Sequence, residues 1–484
     1  MTKSKLSRVS GIAASLALVS SFGLMVGQAQ AAATIVINNL NAPGVGFNDT
    51  TAAAPVGGNP GNTLGQQRLF AFTYAANLWG ATLTSNQPIV INAQFSALTC
   101  TASSGVLGSA GATSIFRDFP SAPKAATWYS YALANKIAGA YLGTAGSAQI
   151  SANFNSNLGT AGCLPGSPFY LGVDGVHGTA IDFVAVLLHE MAHGLGFQTF
   201  TSGSSGAQNG GFPSIWDHYL FGVTAGKPWK DMTDVERAAS AISLDKLVWT
   251  GPLVTAAIPS VLRFGLSGAT FSGPAVGAAA GTVRVGEASF GPPLGSTAFT
   301  GEVMPVAEQG TGTGQGCLPF NATNTTAVNG KIALISRGIC GFAVKVKNAQ
   351  NAGATGVLIA DNVAENAIVP SGLGGSDPTI TIPAVRIFLS DGDKLRESLK
   401  RRSRASSGVY ASIGLVVAQY AGADPLGRAQ MYAPNPFQGG SSVSHFDTTM
   451  TRNQLMEPAI NGDLTQSVVP PEDMTFRLLQ DIGW

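Results

Sequence analysis

The organisation of this chain depends on Val184-Ala-Val-Leu-Leu-His-Glu-Met-Ala-His-Gly-Leu-Gly-Phe197. His189 and His193 stand four residues apart, so a helix places them on one face. Two imidazoles at this spacing can hold one Zn²⁺, and Glu190 can reach a metal-bound water as general base. Asp182 stands where a helix N-cap or first-turn acid belongs. The helical spacing is carried by apolar residues, namely Phe183, Val184, Leu187, Leu188 and Met191.

The HExxH pattern also occurs by chance, as a polar patch on an ordinary helix. Here the surrounding helix is largely apolar and is therefore expected to be buried. Two imidazoles and a carboxylate in a buried helix need partners, which favours a metal site. Gly194 and Gly196 are expected to end the helix. The pattern supplies only two ligands, so a third must come from elsewhere.

Composition narrows the class of protein. The chain has 484 residues, enough for two or three domains. Its formal net charge is +1 and only 11% of its residues are charged, which argues against a nucleic-acid partner. With 61 glycines it suits a loop-rich exported protein.

The N-terminus predicts export. Lys3, Lys5 and Arg8 precede an apolar run at 11–27, and Ala29-Gln30-Ala31 forms a small-x-small cleavage signal. Residues 1–31 are therefore interpreted as a signal peptide of a secreted protein, extracellular or periplasmic; an uncleaved anchor is the alternative. No later segment reaches the roughly 18–20 apolar residues of a membrane span, so no stable membrane insertion is expected after cleavage.

The four cysteines form an even set, as expected of disulfides in an exported protein. Three pairings are possible, and proximity favours Cys100–Cys163 with Cys317–Cys340. A cysteine-ligated metal is disfavoured because no two cysteines lie close in sequence.

Residues before the HExxH helix predict strands and helices in alternation. The strands are expected at 34–38, 88–95 and 149–154, and the helices at 66–80 and 127–142. This order is the one expected of the upper subdomain of a zinc peptidase. Further on, Thr233-Asp-Val-Glu236 matches a capping box at a helix start.

Residues 330–362 read as strand, loop, helix, tight turn at Gly353 and strand. This block resembles the protease-associated (PA) domain. The resemblance is carried by three runs: Ser336-Arg-Gly-x-Cys-x-Phe342, Asn348-Ala-Gln-x-Ala-Gly-Ala354 and Ile382-Pro-Ala-Val385. It implies an α/β domain without chemistry of its own that aids substrate access or recognition in peptidases and sorting receptors.

A compact metzincin would place its third His at position 199, where this chain has Thr199, a poor zinc ligand. Four other residues are also candidates for the third ligand. Each has an ordinary role that explains it better: a loop residue for His177, structural roles for Asp217 and His218, and a helix cap for Glu236. His445 is the strongest candidate because of the family resemblance of the run in which it stands, and Asp447 nearby could orient its ring.

The segment after His445 resembles the leishmanolysin-like metzincins. In that family a distant third His precedes a Leu-Met-x-Pro Met-turn, matched here by Leu455, Met456 and Pro458. His189, Glu190, His193, Gly196 and Phe197 match the first half of the family motif, and 475–484 resembles its last helix. The resemblance implies Zn²⁺ on His189, His193 and His445, with Met456 as an apolar floor.

Together these patterns predict an α+β fold: a metzincin-like zinc-peptidase domain, with a mixed sheet and an active-site helix, interrupted by an α/β PA domain. The expected parts are 32–257, 258–415 and 416–484. The predicted activity is zinc-dependent hydrolysis of protein or peptide substrates by an endopeptidase, with a zinc-activated water and Glu190 as general base.

Two other functions remain open. The first is a non-catalytic exported binding protein with a working PA domain and a structural zinc site; Glu190 argues against it, since a structural site needs no base. The second is a zinc hydrolase with another substrate, such as a glycopeptide.

Overall fold

A computed structural model describes residues 32–307, 314–365 and 367–484, so the expected signal peptide at 1–31 lies outside the described residues. The first part of the chain follows the predicted alternation. Its strands are β1 Ile35–Asn39, β2 Ile89–Ser96, β3 Gly108–Ala112, β4 Ile115–Phe116, β5 Tyr129–Ser130, β6 Ile150–Asn155, β7 Phe169–Tyr170 and β8 Ile181–Asp182. Its helices are α1 Leu64–Thr82, α2 Tyr131–Ala138 and α3 Phe183–Leu195.

A four-stranded sheet of order β1-β2-β6-β3 supports the HExxH helix α3. β1, β2 and β6 are parallel, and β3 runs antiparallel at the edge. α1 packs against α3, and the indole Nε1 of Trp79 donates a hydrogen bond to the carbonyl of Leu188 at 3.1 Å. Every residue of α3 is buried, as its apolar composition predicts.

The two ends of α3 are set by different residues. The Asp182 carboxylate accepts hydrogen bonds from the N–H groups of Val184 and Ala185, which confirms the predicted cap. Gly196, with φ of 124°, ends the helix. Gly194 does not end it, contrary to the prediction. A Cβ at Gly194 would lie 2.4 Å from Cγ2 of Ile150, so this glycine lets α3 approach β6 closely.

The helix predicted at 127–142 is shorter than expected. Tyr129–Ser130 pairs with Ile115–Phe116 as a short antiparallel ladder instead of joining α2. At the other end Gly139, with φ of 65°, takes the left-handed conformation that stops the helix. Aromatic spacing predicted the helix, but strand pairing and a glycine cap limit its length.

After α3 the chain forms a small three-stranded sheet and two helices. The strands are β9 Leu220–Gly222, β10 Lys227–Pro228 and β11 Leu247–Trp249, and the helices are α4 Asp234–Ser240 and α5 Pro252–Val261. Thr233 and Glu236 form the reciprocal hydrogen bonds of a capping box at the start of α4, as predicted.

The middle of the chain forms an eight-stranded sheet of order β13-β12-β19-β15-β16-β17-β18-β14. Its strands are β12 Phe264–Ser272, β13 Gly281–Arg284, β14 Gly286–Glu287, β15 Phe299–Pro305, β16 Ile332–Ser336, β17 Gly356–Ala360, β18 Ala384–Ile387 and β19 Tyr410–Tyr420. Its helices are α6 Ala322–Val328, α7 Phe342–Asn351 and α8 Leu389–Ser398. Because Val285 alone separates the two edge strands β13 and β14, the sheet must curl until its edges approach. The predicted strand–helix–strand unit is β16-α7-β17.

The last helix, α9 Thr475–Ile482, packs on the first part of the chain. The Asp481 carboxylate on α9 accepts hydrogen bonds from Trp249 Nε1 at 2.9 Å and from the backbone N–H of Leu253 at 2.8 Å. One hydrophobic core joins residues from Ala33 to Leu262 with residues from Ala423 to Ile482, while the residues between them form two separate cores. Among the described residues no helix is both long and apolar enough to cross a membrane.

Candidate metal centre

Three imidazoles converge where α3 meets the last part of the chain. His189 and His193 lie on α3, and His445 precedes Phe446, which forms an isolated bridge with Met431. The Nε2 atom of His445 lies 3.2 Å from Nε2 of His189 and 3.2 Å from Nε2 of His193. All three side chains are buried. The prediction that a distant His joins the HExxH pair therefore agrees with the geometry.

Backbone carbonyl groups orient all three rings. Each Nδ1 lies beside a carbonyl oxygen, which can only accept, so each Nδ1 carries the proton and each Nε2 presents a lone pair. The acceptors are Leu455 for His189 at 2.7 Å, Phe197 for His193 at 2.8 Å and Ser441 for His445 at 2.8 Å. Three lone pairs that face one another without a hydrogen between them can hold a cation.

The spacing of the three nitrogen atoms fits zinc. Tetrahedral Zn²⁺ with Zn–N bonds of 2.0–2.1 Å separates its ligand nitrogens by about 3.3–3.4 Å. The two observed 3.2 Å separations match this value closely. Within the described residues, these three histidines are also the one group of three side chains that could hold a metal ion.

Burial keeps the three imidazoles neutral. It lowers the pKa of His189 to about 4. Burial, assisted by the neighbouring His189, lowers the pKa of His193 to about 3. The pKa of His445 is also well below its usual value, first because of burial and then because of the other two rings. Since only a neutral imidazole can bind a metal, the site is prepared for a cation at neutral pH.

Glu190 lies beside the three rings in an apolar setting. Burial raises the pKa of Glu190 to about 8, and a hydrogen bond from the N–H of Ala110 on β3 offsets this only in part. A cation among the imidazoles would lower this pKa, because an opposite charge favours the carboxylate. β3 runs close to Glu190: a Cβ at Gly108 would lie 3.1 Å from its Cγ.

Met456 is fully buried next to the ligand segment. It follows Leu455, whose carbonyl oxygen accepts from His189, and its own carbonyl oxygen accepts from the N–H of Phe446 at 2.8 Å. The turn containing Met456 thus ties the residue after His445 to α3. Its role as an apolar floor stays a prediction.

The remaining candidate ligands named from the sequence have partners outside the histidine cluster. The His177 ring lies 2.7 Å from the carbonyl of Ala180, His218 lies 3.1 Å from the Thr127 hydroxyl, and Glu236 caps α4. Asp217 is fully buried and accepts hydrogen bonds from two threonine hydroxyls and a backbone N–H.

The prediction that Asp447 orients His445 is wrong. The Asp447 carboxylate accepts hydrogen bonds from the N–H and hydroxyl of Thr449, and the carbonyl oxygen of Ser441 accepts the hydrogen bond from Nδ1–H of His445. Sequence reasoning missed all three orienting groups, because every residue carries a backbone carbonyl and none is distinctive in sequence.

Both expected disulfides form, Cys100–Cys163 in the first part and Cys317–Cys340 in the middle. The described cysteines leave no free thiol.

Comparison with known proteins locates the recognisable similarity in the middle of the chain. The PA domain family model matches residues 299–395, which confirms the predicted PA domain. Vacuolar-sorting receptor 5 of Arabidopsis thaliana is 39% identical over 119 residues, covering 24% of this chain and 19% of the receptor. Minor extracellular protease Vpr of Bacillus subtilis is 27% identical over 119 residues, covering 24% of this chain and 14% of the protease. The chain thus spans under a fifth of either relative.

Among solved structures, the zinc aminopeptidase BSAP of Bacillus subtilis aligns at 24% identity over 34% of this chain and 35% of that chain, with a TM-score of 0.23. A TM-score this low carries no argument about the rest of the chain. The chain therefore has a mixed α/β architecture that includes a PA domain, and the chemistry of the histidine cluster must be argued from its own geometry.

Proposed function

We propose that this protein is an exported zinc-dependent endopeptidase of the leishmanolysin-like metzincin type. His189, His193 and His445 hold Zn²⁺, and Glu190 is the general base. The observation that carries the proposal is the convergence of three Nε2 lone pairs beside a buried carboxylate. Three imidazole ligands leave a fourth position open, as in catalytic rather than structural zinc sites.

The chemistry is divided between the metal and the chain. When bound, Zn²⁺ supplies Lewis acidity that polarises a carbonyl group and makes water more acidic. Glu190 accepts a proton from the attacking water on a carboxylate oxygen and donates it to the leaving amine nitrogen. The backbone acceptors of the three Nδ1–H groups keep the imidazoles oriented throughout.

The edge strand β3 offers a place for a peptide substrate. It pairs with β6 on one side only, and the N–H of Ala110 on this strand donates a hydrogen bond to Glu190. An extended peptide can add to such an edge through main-chain hydrogen bonds. Small side chains along Gly108–Ala112 leave room for it. A strand that runs past the site suits cleavage within a chain.

The number of metal ions that the site can hold argues against a two-metal aminopeptidase. Two-metal sites hold their ions roughly 3.5–4 Å apart and need bridging and additional ligands. The part of the chain that the structure describes contains one group of three possible ligands, all histidine. This donor set supports a single zinc ion and therefore single-metal chemistry.

The PA-containing block is proposed to be an insertion at 258–415 between catalytic parts at 32–257 and 416–484. The shared core of the first and last parts supports this, as does the antiparallel pairing of Phe264 with Tyr420 at the two ends of the block. A long insertion costs little when its ends are close. Export rests on residues 1–31, and two disulfides suit an oxidising compartment.

The decisive experiment combines metal analysis with substrate digestion. The purified protein should contain one zinc per chain and hydrolyse casein or gelatin, and a chelator should abolish hydrolysis. A peptide library should be cut at internal bonds. Stepwise release of N-terminal residues would favour an aminopeptidase, and zinc without hydrolysis would favour the non-catalytic binding protein.

Removal of the third ligand tests the site itself. His445→Ala should lose zinc, because two imidazoles on α3 cannot complete the site, whereas His177→Ala should keep it. Zinc affinity is measured by chelator competition. Full retention of zinc by His445→Ala would contradict the assignment.

A further inference from the structure

Thr199 stands where a compact metzincin would carry its third histidine, and its side chain has another partner. Its hydroxyl donates a hydrogen bond to Oδ1 of Asp217 at 2.7 Å. Its backbone N–H donates to the hydroxyl oxygen of Ser444 at 3.2 Å, one residue before His445. Thr199 therefore links a buried anchor to the segment that carries the distant ligand.

The anchor is a fully buried carboxylate. Asp217 lies on the 3-10 helix Trp216–His218 and also accepts from the Thr201 hydroxyl at 2.6 Å and the Ser214 N–H at 2.8 Å. No cation pairs with Asp217 among the residues that the structure describes. The buried carboxyl group therefore relies on these hydrogen bonds, and loss of any one donor leaves it with fewer polar partners.

The turn that contains Thr199 also contacts a second proposed ligand, His193. Phe197, two residues before Thr199, offers its carbonyl oxygen to Nδ1–H of His193 at 2.8 Å. The stretch from Phe197 to Thr199 is thus in contact with a ligand on α3 at one end and with the neighbour of His445 at the other. One anchored turn spans both halves of the site.

We propose that Thr199 and Asp217 form a positioning pair that places His445 against α3 at zinc-binding distance. The proposal rests on the proposed function, because it takes His445 as a zinc ligand. His445 arrives from a segment far along the chain; Thr199 and Ser444 are 245 positions apart in sequence. Local chain geometry cannot place such a ligand, so tertiary hydrogen bonds must do so. Position 199 does not supply the third ligand. Its hydrogen bonds instead hold the segment that carries His445.

The structure provides a matched control at Thr201. Thr201 donates to the other oxygen of the same carboxylate but has no hydrogen bond to the ligand segment in the described residues. Thr199→Val and Thr201→Val each remove one hydroxyl from Asp217 and should both lower the midpoint of unfolding, Thr199→Val somewhat more because its hydroxyl also accepts from the Thr201 N–H. They should differ in metal binding.

Zinc affinity, measured by chelator competition on the full-length protein, is the readout. Thr199→Val should weaken zinc binding about 10-fold or more, the lower range for loss of a group that orients a ligand. Thr201→Val should change the zinc affinity by less than about twofold. Thr199→Ser keeps the hydroxyl and should bind zinc as tightly as wild type. Equal losses in Thr199→Val and Thr201→Val would overturn the proposal, because the pair would then only stabilise the fold.

Ser444→Ala tests the route to His445. It should weaken zinc binding, and the double variant with Thr199→Val should lose less than the product of the two single losses, because both act through one contact. An unchanged affinity in Ser444→Ala would overturn this route. If wild-type protein binds no zinc at all, the proposed function fails instead, and the two failures are thereby distinguished.

Discussion

Two glutamates, the buried Glu190 beside the histidines and the partly buried Glu302 in the PA-containing block, have opposite pKa shifts. Burial raises the pKa of Glu190 to about 8, against a single hydrogen bond from Ala110. Burial would also raise the pKa of Glu302, but four donors outweigh it and bring the pKa to about 2. The donors are the Ser406 hydroxyl, the N–H groups of Gly408 and Ser407, and the Lys331 ammonium.

The difference shows how the number of donors separates a reactive carboxylate from a structural one. Glu302 has its charge fully compensated, so it stabilises the junction of β15 with the chain before β19. Glu190 keeps unused acceptor capacity, so it can take up and release a proton. Under the proposed function, the same residue type thus serves stability in one region and proton transfer in the other.

Removal of the charge at Glu190 should produce the largest effect. Glu190→Gln should lower kcat by about 10²–10⁴-fold, the range for loss of a general base, with zinc content unchanged. Paired measurements of peptide hydrolysis and zinc stoichiometry check this. Glu236→Gln, an exposed cap on α4, is the control and should retain activity. Near-normal hydrolysis by Glu190→Gln would contradict the contrast between the two glutamates, since neither would then be needed for proton transfer.

The same change at Glu302 should affect stability and leave zinc binding intact. Glu302→Gln should lower the free energy of unfolding by up to about 3 kcal/mol, because the pKa is about 2 against the usual 4.5 and one pKa unit corresponds to about 1.4 kcal/mol. Denaturant unfolding at neutral pH measures it. Glu397→Gln is the control; its side chain is 70% exposed, so its ion pair with Lys400 should contribute little.

The pH dependence sharpens the contrast. The pKa of Glu302 is depressed, so its contribution is present above about pH 4.5 and is lost as pH falls towards about 2. The sign is reversed for Glu190 in metal-free protein, where a pKa of about 8 predicts stability that decreases as pH rises from about 4.5 to about 8. Unfolding midpoints of wild type and each Gln variant across pH should show both trends. Parallel curves for a variant and wild type would contradict the assigned shift.

The smallest effect is expected at Gly108. Gly108→Ala places a methyl group 3.1 Å from Cγ of Glu190, so the carboxylate must move by a few tenths of an ångström. Hydrolysis should fall about 10-fold while zinc binding stays unchanged, because positioning errors of this size lower catalytic rates. Gly111→Ala on the same strand meets nothing closer than 3.8 Å and should be neutral. Equal activities would show that Glu190 tolerates displacement.

Prediction from sequence succeeded where the signal was local. The cap at Asp182, the capping box at Thr233 and the β16-α7-β17 unit follow from residues close together in the chain. It failed where tertiary packing or side-chain geometry decided the outcome. Gly194 looked like a helix stop but makes room for Ile150 on β6, and Asp447 looked like the partner of His445 but hydrogen-bonds to Thr449, its near neighbour in sequence.

The candidate site also has features that the sequence predicts and features that only the tertiary structure decides. Helical periodicity places His189, Glu190 and His193 together on one buried face, and the resemblance of the run after it selects His445 from five histidines. The carbonyl group of Leu455 that orients His189, and the burial that leaves the pKa of Glu190 high, depend on chain segments far apart in sequence. Side-chain identity can be read along a chain, whereas hydrogen-bond geometry and burial exist only after those segments have packed together.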